Sequence, residues 1–278
     1  MTNLFNYIER ESPIHRLTGA SKFVCLILWT LAAMSTYDTR MLAVLSAFSV
    51  VLFAISRIRL RDVSVMLGFT LVFMVLNNIL VFAFSPQHGV ELYGTYHPIV
   101  KLFGNYIVTQ EQLFYHLNLV LKYVATIPVV ILFITTTNPS EFAASLNRIG
   151  VKYSIAYAVA LALRYIPDVQ REYHEISQAQ QARGIEMSKK QSIGKRIRSA
   201  SAILIPLIFS GMNRIETVSN AMELRGFGKN KKRTWYMSRP FAAADILAML
   251  FSALLIVCAF VLNRYNGGRF YNPFDVMG

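Results

Sequence analysis

Apolar positions in this chain come in long blocks rather than in the short periodic sets of a soluble core. Five blocks, roughly 20–36, 41–57, 63–84, 113–136 and 241–262, each lie near the ~20 residues that cross a bilayer. The second is short. Between the fourth and fifth blocks the pattern changes. Asn138-Pro139-Ser140-Glu141 has the composition of a helix start: a capping side chain, proline at the first helical position and an acid at the third. That helix is expected to end near Asn147 to Gly150. Two longer segments follow, about 153–183 and 192–225, each apolar early, polar late and interrupted by a proline, Pro167 or Pro206. An internal proline should bend a helix or mark a joint.

Both long segments finish alike. Ile166, Val169, Tyr173, Ile176, Gln180 and Arg183 follow a spacing of three and four, and so do Ile208, Gly211, Ile215, Val218, Met222 and Arg225. Each set therefore occupies one helical face that ends on an arginine. The ends themselves are Ala182-Arg183-Gly184 and Leu224-Arg225-Gly226. Capping accounts for part of this, since glycine suits the position past a helix end and a cation there complements the dipole. Two copies on two like stripes suggest more. An arginine at the tip of an apolar face can enter a groove and pair bidentately with a carboxylate, its stem covered by apolar contact.

Charge then orients the chain. Of 278 residues 54% are apolar, and the formal net charge is +13. Segment 137–240 carries 17 Lys and Arg against seven acids, while the 37–40 turn, the 85–112 loop and the C-terminal tail carry one or two basic residues each. Positive-inside reasoning then puts the N-terminus and 137–240 in the cytoplasm and the C-terminus outside. The first 22 residues are polar, so the first span reads as a retained signal anchor and not as a cleaved leader. The basic density fits an inside loop beside anionic lipid, and no nucleic-acid reader motif accompanies it. Apolar starts at 153–166 and 200–213 are short for spans, with Arg164, Lys195, Arg196 and Arg198 close by. Helices near the inner membrane surface are the favoured reading, and a re-entrant hairpin or two further spans the alternative.

No catalytic set emerges. Cys25 and Cys258 lie in apolar spans, and the five histidines lack metal-ligand spacing. There is no P-loop, nucleotide-binding glycine fingerprint or nucleophile elbow. Asn77-Asn78 within the third span reads mainly as an interhelical hydrogen bond, with a partner-facing role as the alternative. Lys122 within the fourth either snorkels outward, lies near a span start at about Leu119, or pairs with a partner's carboxylate. The Gly104-containing loop and the tail Asn266-Gly267-Gly268 read as ordinary external turns.

At these residues the chain resembles the transmembrane T component of energy-coupling factor importers, the CbiQ/EcfT family. The likeness rests on Pro13-Ile14-His15-Arg16-Leu17 with Lys22, on Thr135-Thr136-Thr137-Asn138-Pro139, and on the two Arg-Gly helix ends. Leu224 stands where that family often has alanine. The resemblance implies an all-α polytopic membrane protein with about five transmembrane helices and a cytoplasmic module of three coupling helices, two of them long and crossing. Residues 1–136 would form the N-terminal spans, 137–240 the coupling helices, and 241–278 the last span and external tail. It further implies that Ala182, Arg183, Gly184, Leu224, Arg225 and Gly226 dock two ABC ATPase subunits, or a fused pair, with Ile176, Ile215, Val218 and Met222 as supporting stripe. The apolar faces and spans would hold a substrate-binding S component for a vitamin or for a metal ion such as cobalt or nickel. ATP and Mg would be bound by the ATPases, and the chain itself would carry no cofactor or metal and hydrolyse nothing. The location implied is a bacterial or archaeal cell membrane. The competing reading is a stand-alone secondary transporter or channel, which expects broken, paired spans around an intramembrane ionisable site. An intramembrane enzyme would need paired Asp or His ligands.

Overall fold

A computed structural model describes residues 12–103, 106–185, 192–229 and 239–274. In chain order the elements are α1 (Pro13–Arg16), α2 (Gly19–Ser35), α3 (Thr39–Ile55), α4 (Leu60–Phe84), α5 (His88–Tyr93), β1 (Pro98–Phe103), β2 (Tyr106–Thr109), α6 (Gln110–Thr136), α7 (Pro139–Arg148), α8 (Tyr153–Ala182), α9 (Ile193–Leu224) and α10 (Ala243–Tyr265). They form two compact units, one of Met1–Asn138 with Arg239–Gly278 and one of Pro139–Ser238. The chain is an all-α polytopic membrane protein. Helices α4, α6 and α10 are long and apolar enough to cross a bilayer, and α2 and α3 are shorter apolar helices of 17 residues.

In the first unit α2 packs on α6 and α10, and α3 and α4 pack on α6. Trp29, Ala32, Ala33, Met41, Leu45, Ala125, Leu255 and Ala259 make the main core, where the small residues let the helices approach closely. The outer faces stay apolar: Phe69 is 76% exposed and Leu247 66%. Such faces are the natural surface of a span bathed in lipid.

Proline inside α6 shows how the bundle satisfies its backbone. Pro128 has no N–H to give the carbonyl four residues back, that of Val124. Ser49 Oγ of α3 donates to that carbonyl at 2.7 Å, and Trp29 Nε1 of α2 donates to the adjacent Ala125 carbonyl at 2.8 Å. In lipid an unmet carbonyl is costly, so these donors let a proline-containing span pack without loss.

Polar clusters close both ends of the bundle. At one end Asp245, 1% exposed, accepts from the Thr18 backbone N–H at 2.8 Å, from the Thr18 hydroxyl at 3.1 Å and from the Ser21 hydroxyl. Its other oxygen accepts from the Ala242 backbone N–H at 2.8 Å. The first turns of α2 and α10 are thereby tied to one carboxylate. At the other end Asp38 accepts from the backbone and guanidinium of Arg40 and, at 2.8 Å, from Asn266 Nδ2. Burial alone would raise the Asp38 pKa, but these donors outweigh it and hold the carboxyl below its usual range.

The segment after α4 is more ordered than a loop. β1 and β2 form an antiparallel hairpin, and buried Glu111 accepts from Thr95 Oγ1 at 3.0 Å and from the His97 backbone N–H at 3.2 Å. The tail past Gly267 is not a simple turn either. Tyr37 N–H donates to the Arg269 carbonyl at 2.8 Å, and Asn272 Nδ2 to the Tyr93 carbonyl at 3.0 Å. Lys122 runs beneath this cap and departs from the expectation of outward snorkelling: it is buried, and its Nζ meets the Tyr37 ring, 3.2 Å from the centroid, in a cation–π contact. Asn78 departs from the interhelical expectation. Its Nδ2 bonds its own helix at Met74 O, 2.8 Å away, because a short amide reaches the carbonyl four residues back more easily than a neighbour. The bond between helices comes instead from His116 Nε2 to the Asn78 carbonyl at 3.1 Å.

Candidate docking surface

The second unit consists of α7, α8 and α9. Helix α7 begins at Pro139, and the chain turns at Gly150, whose φ of +106° lies in the region glycine tolerates. Helices α8 and α9 continue through Pro167 and Pro206 without a break. They lie antiparallel. Gln180 near the end of α8 meets Ala202, Glu172 meets Ser210 and Arg214, and the Tyr157 ring near the start of α8 packs, tilted, on Phe227 with centroids 4.9 Å apart.

The two helix ends are built alike. Arg183 and Arg225 are the C-cap residues, with φ, ψ of −83°, 7° and −85°, 8°. Gly184 and Gly226 follow with φ of +84° and +68°. At the first end Gly184 N–H donates to Gln181 O at 2.9 Å and Ile185 N–H to Gln180 O at 3.1 Å. At the second, Gly226 N–H donates to Glu223 O at 2.8 Å and Phe227 N–H to Met222 O at 2.9 Å. Each is a complete Schellman motif, in which left-handed glycine closes the last carbonyls of the helix. Backbone bonds alone make the cap, so the arginine side chains are not needed for it. Ala182, Arg183 and Gly184 are exposed, as are Leu224, at 91%, and Arg225.

Antiparallel packing sets the two ends far apart. Arg183 lies one turn beyond Gln180, beside Ala202. From Ala202 to Arg225 is about 35 Å of helix at 1.5 Å per residue. The same Arg-Gly device thus stands at opposite ends of one antiparallel pair.

The stripes behind the arginines divide. Ile166, Val169 and Tyr173 are exposed, Ile176 and Gln180 partly buried. On α9, Gly211, Ile215, Val218 and Met222 line a cavity of about 440 Å³ against Leu161, Tyr165 and Val169 of α8. Glu172 and Arg214 sit at the same cavity, paired at 2.9 Å. The 3,4 spacing indicated a shared face, but half of that face is turned toward the neighbouring helix. Next to it Leu204, Ile205, Ile208, Phe209 and Met212 form an exposed apolar patch. Neither α8 nor α9 is among the helices long and apolar enough to cross a membrane.

Two motifs far apart in sequence meet in the first unit. Lys22 Nζ donates to the Thr136 carbonyl at 2.8 Å, joining the Pro13–Lys22 stretch to the Thr-Thr-Thr run that leads into α7. Sequence reasoning singled out both and did not pair them, because nothing local signals a contact between residues so far apart. Among the described residues no group of three or more His, Cys, Asp or Glu gathers as a metal site, and Cys25 and Cys258 are unpaired thiols.

Comparison with known proteins follows the same lines as this architecture. Residues 10–236 match the CbiQ family, described as cobalt transport protein. The chain is similar to the energy-coupling factor transporter transmembrane protein EcfT of Streptococcus equi subsp. equi, with 28% identity over 94% of this chain and 96% of that one. It is likewise similar to the EcfT proteins of Leuconostoc gelidum subsp. gasicomitatum, at 27% identity over 94% and 97%, and of Bacillus subtilis, at 23% over 92% and 96%. With a family match that covers most of the chain, from α1 through α9 and both Arg-Gly helix ends, the chain belongs to the CbiQ family of membrane transport components.

Proposed function

We propose that this chain is the coupling subunit of an energy-coupling factor importer, in which the Arg183 and Arg225 ends each dock one ABC ATPase subunit. The observation that carries this reading is the pair of equal Schellman ends, each presenting an exposed arginine, at opposite ends of one antiparallel helix pair. An arginine so placed offers a planar fork of donors to a carboxylate in a groove. Two such ends suit two like partners, or the two halves of a fused pair. The exposed apolar patch of α9 and the outer faces of the spans would receive an S component carrying a vitamin or transition-metal ion. ATP and Mg would be bound by the ATPases, whose closure would shift α8 and α9 and reorient the S component. In this reading the N-terminus and 137–240 face the cytoplasm, in keeping with the density of basic residues there.

Reconstitution tests the reading against a channel or secondary transporter. In liposomes the purified chain alone should give no substrate uptake above empty vesicles, and uptake should appear only when ATPases, S component and ATP are added. ATP-independent uptake by the chain alone would overturn it.

A further inference from the structure

The two long helices are tied to each other on either side of Pro206. Proline at 206 removes the N–H that would bond the carbonyl four residues back, Ala202 O. Gln180 Nε2, from α8, donates to that same carbonyl at 3.2 Å. On the far side of the proline, Ser210 Oγ donates to Glu172 Oε1, and Arg214 Nη2 to Glu172 Oε2 at 2.9 Å. The Arg214 guanidinium also stands 5.7 Å from the Tyr165 ring centroid. In the membrane bundle, Ser49 fills the carbonyl opened by Pro128 in the same manner. There the donor comes from the middle of a span. Gln180 instead lies three residues before Arg183, one turn from the exposed helix end.

We propose that Gln180 is a positioning residue that locks the proline joint of α9 to the Arg183 end of α8. A helix with an open carbonyl is free to bend at its proline, and a side chain bonded to that carbonyl removes the freedom. With Gln180 before the joint and Glu172 after it, both halves of α9 are fixed to α8. A force applied at Arg183 is then passed to α9 as movement of the pair rather than lost in bending at Pro206. Its importance for transport rests on the docking reading above, whereas the lock itself does not.

The test is a double-mutant cycle in the purified chain without any ATPase, read by amide hydrogen exchange along α9. Gln180→Ala should speed exchange in the turns flanking Pro206 roughly tenfold, the scale expected when a partly buried carbonyl loses its donor. Q180E, of like shape but without the donated N–H, should behave the same way. Pro206→Ala restores the backbone N–H, so Ala202 O regains an intrahelical partner. In that background Q180A should change exchange less than about twofold. Equal effects of Q180A with and without Pro206 would overturn the proposal, as would no effect of Q180A at all. Neither result bears on ATPase capture by the wild-type chain, so failure here and failure of the docking reading are distinguishable.

Discussion

Replacing both Arg183 and Arg225 by alanine should leave the membrane protein intact and remove its ATPases. Stability should change little because each helix end is closed by backbone bonds, from Gly184 and Ile185 in one case and from Gly226 and Phe227 in the other. The charge that an arginine adds in the last turn is typically worth 0.3–1 kcal/mol at an exposed position, about the lower half of which applies at physiological salt. Removing one partner of a desolvated interfacial charge pair costs far more, about 2–5 kcal/mol per site. Loss of both sites should therefore lower ATPase affinity by roughly three orders of magnitude or more, beyond what survives affinity purification. Arg→Lys at both positions should give an intermediate result, since an ammonium keeps the charge and loses the bidentate fork. Co-purification from membranes with matched expression measures this. Undiminished ATPase capture by the double alanine variant would rule out docking through these ends.

Asp245→Ala should be the most destabilising single change in the membrane unit. The carboxylate is 1% exposed and takes two backbone N–H groups and two hydroxyls, from Thr18, Ser21 and Ala242. Alanine leaves the buried Thr18 N–H without an acceptor, at about 1–3 kcal/mol, and also takes the partner from the part-buried Ala242 N–H and from two hydroxyls. A loss of about 3 kcal/mol or more is expected, seen as a lower thermal midpoint in detergent. Asp245→Asn should recover part of it, because the amide oxygen still accepts while its NH2 faces a donor. A second variant, Ser21→Ala, removes only one hydroxyl donor to the carboxylate, leaves the Thr18 cap of α2 in place and should be milder. A midpoint for D245A equal to wild type would contradict the assignment of this carboxylate as the tie between α2 and α10.

The spans were legible because bilayer-facing segments are written in apolar blocks. The expected 63–84 and 113–136 become Leu60–Phe84 and Gln110–Thr136, extended at one end by residues polar enough to sit outside hydrocarbon. The long helices at 153–182 and 193–224 were legible from their stripes and their Arg-Gly stops. The hairpin at 98–109 was not, although Ile99-Val100-Lys101 and Tyr106-Ile107-Val108 flank a Gly-Asn pair that is a hairpin signal. Inside a polar connection between spans, that short alternation reads as loop. Gly104 itself, taken from sequence as part of an external turn, lies outside the described residues.

Pairings over long sequence distances account for the rest of what was missed. Pro206 announces an open carbonyl at Ala202, but nothing in the sequence says that Gln180 fills it. The same holds for Lys22 on Thr136 and for the tail residue Arg269, whose carbonyl returns to Tyr37. Gln180 had been placed on the stripe beside Arg183 only by its spacing. Its role follows from a neighbour that local periodicity does not encode. For the same reason the 3,4 pattern on α9 did not separate the outward Ile208 from Val218 and Met222, which line the cavity against α8.

The central claim is that the two Arg-Gly ends are two equivalent contact points for ATPase subunits. Site-specific photo-crosslinking from the exposed neighbours of the arginines tests it most directly. A photoreactive residue placed at Ala182 or at Leu224, one at a time in the full chain in native membranes, should yield adducts with an ATPase subunit from both positions. Adducts from both positions only with lipid or with other membrane proteins, in membranes where the ATPases are present, would contradict the claim.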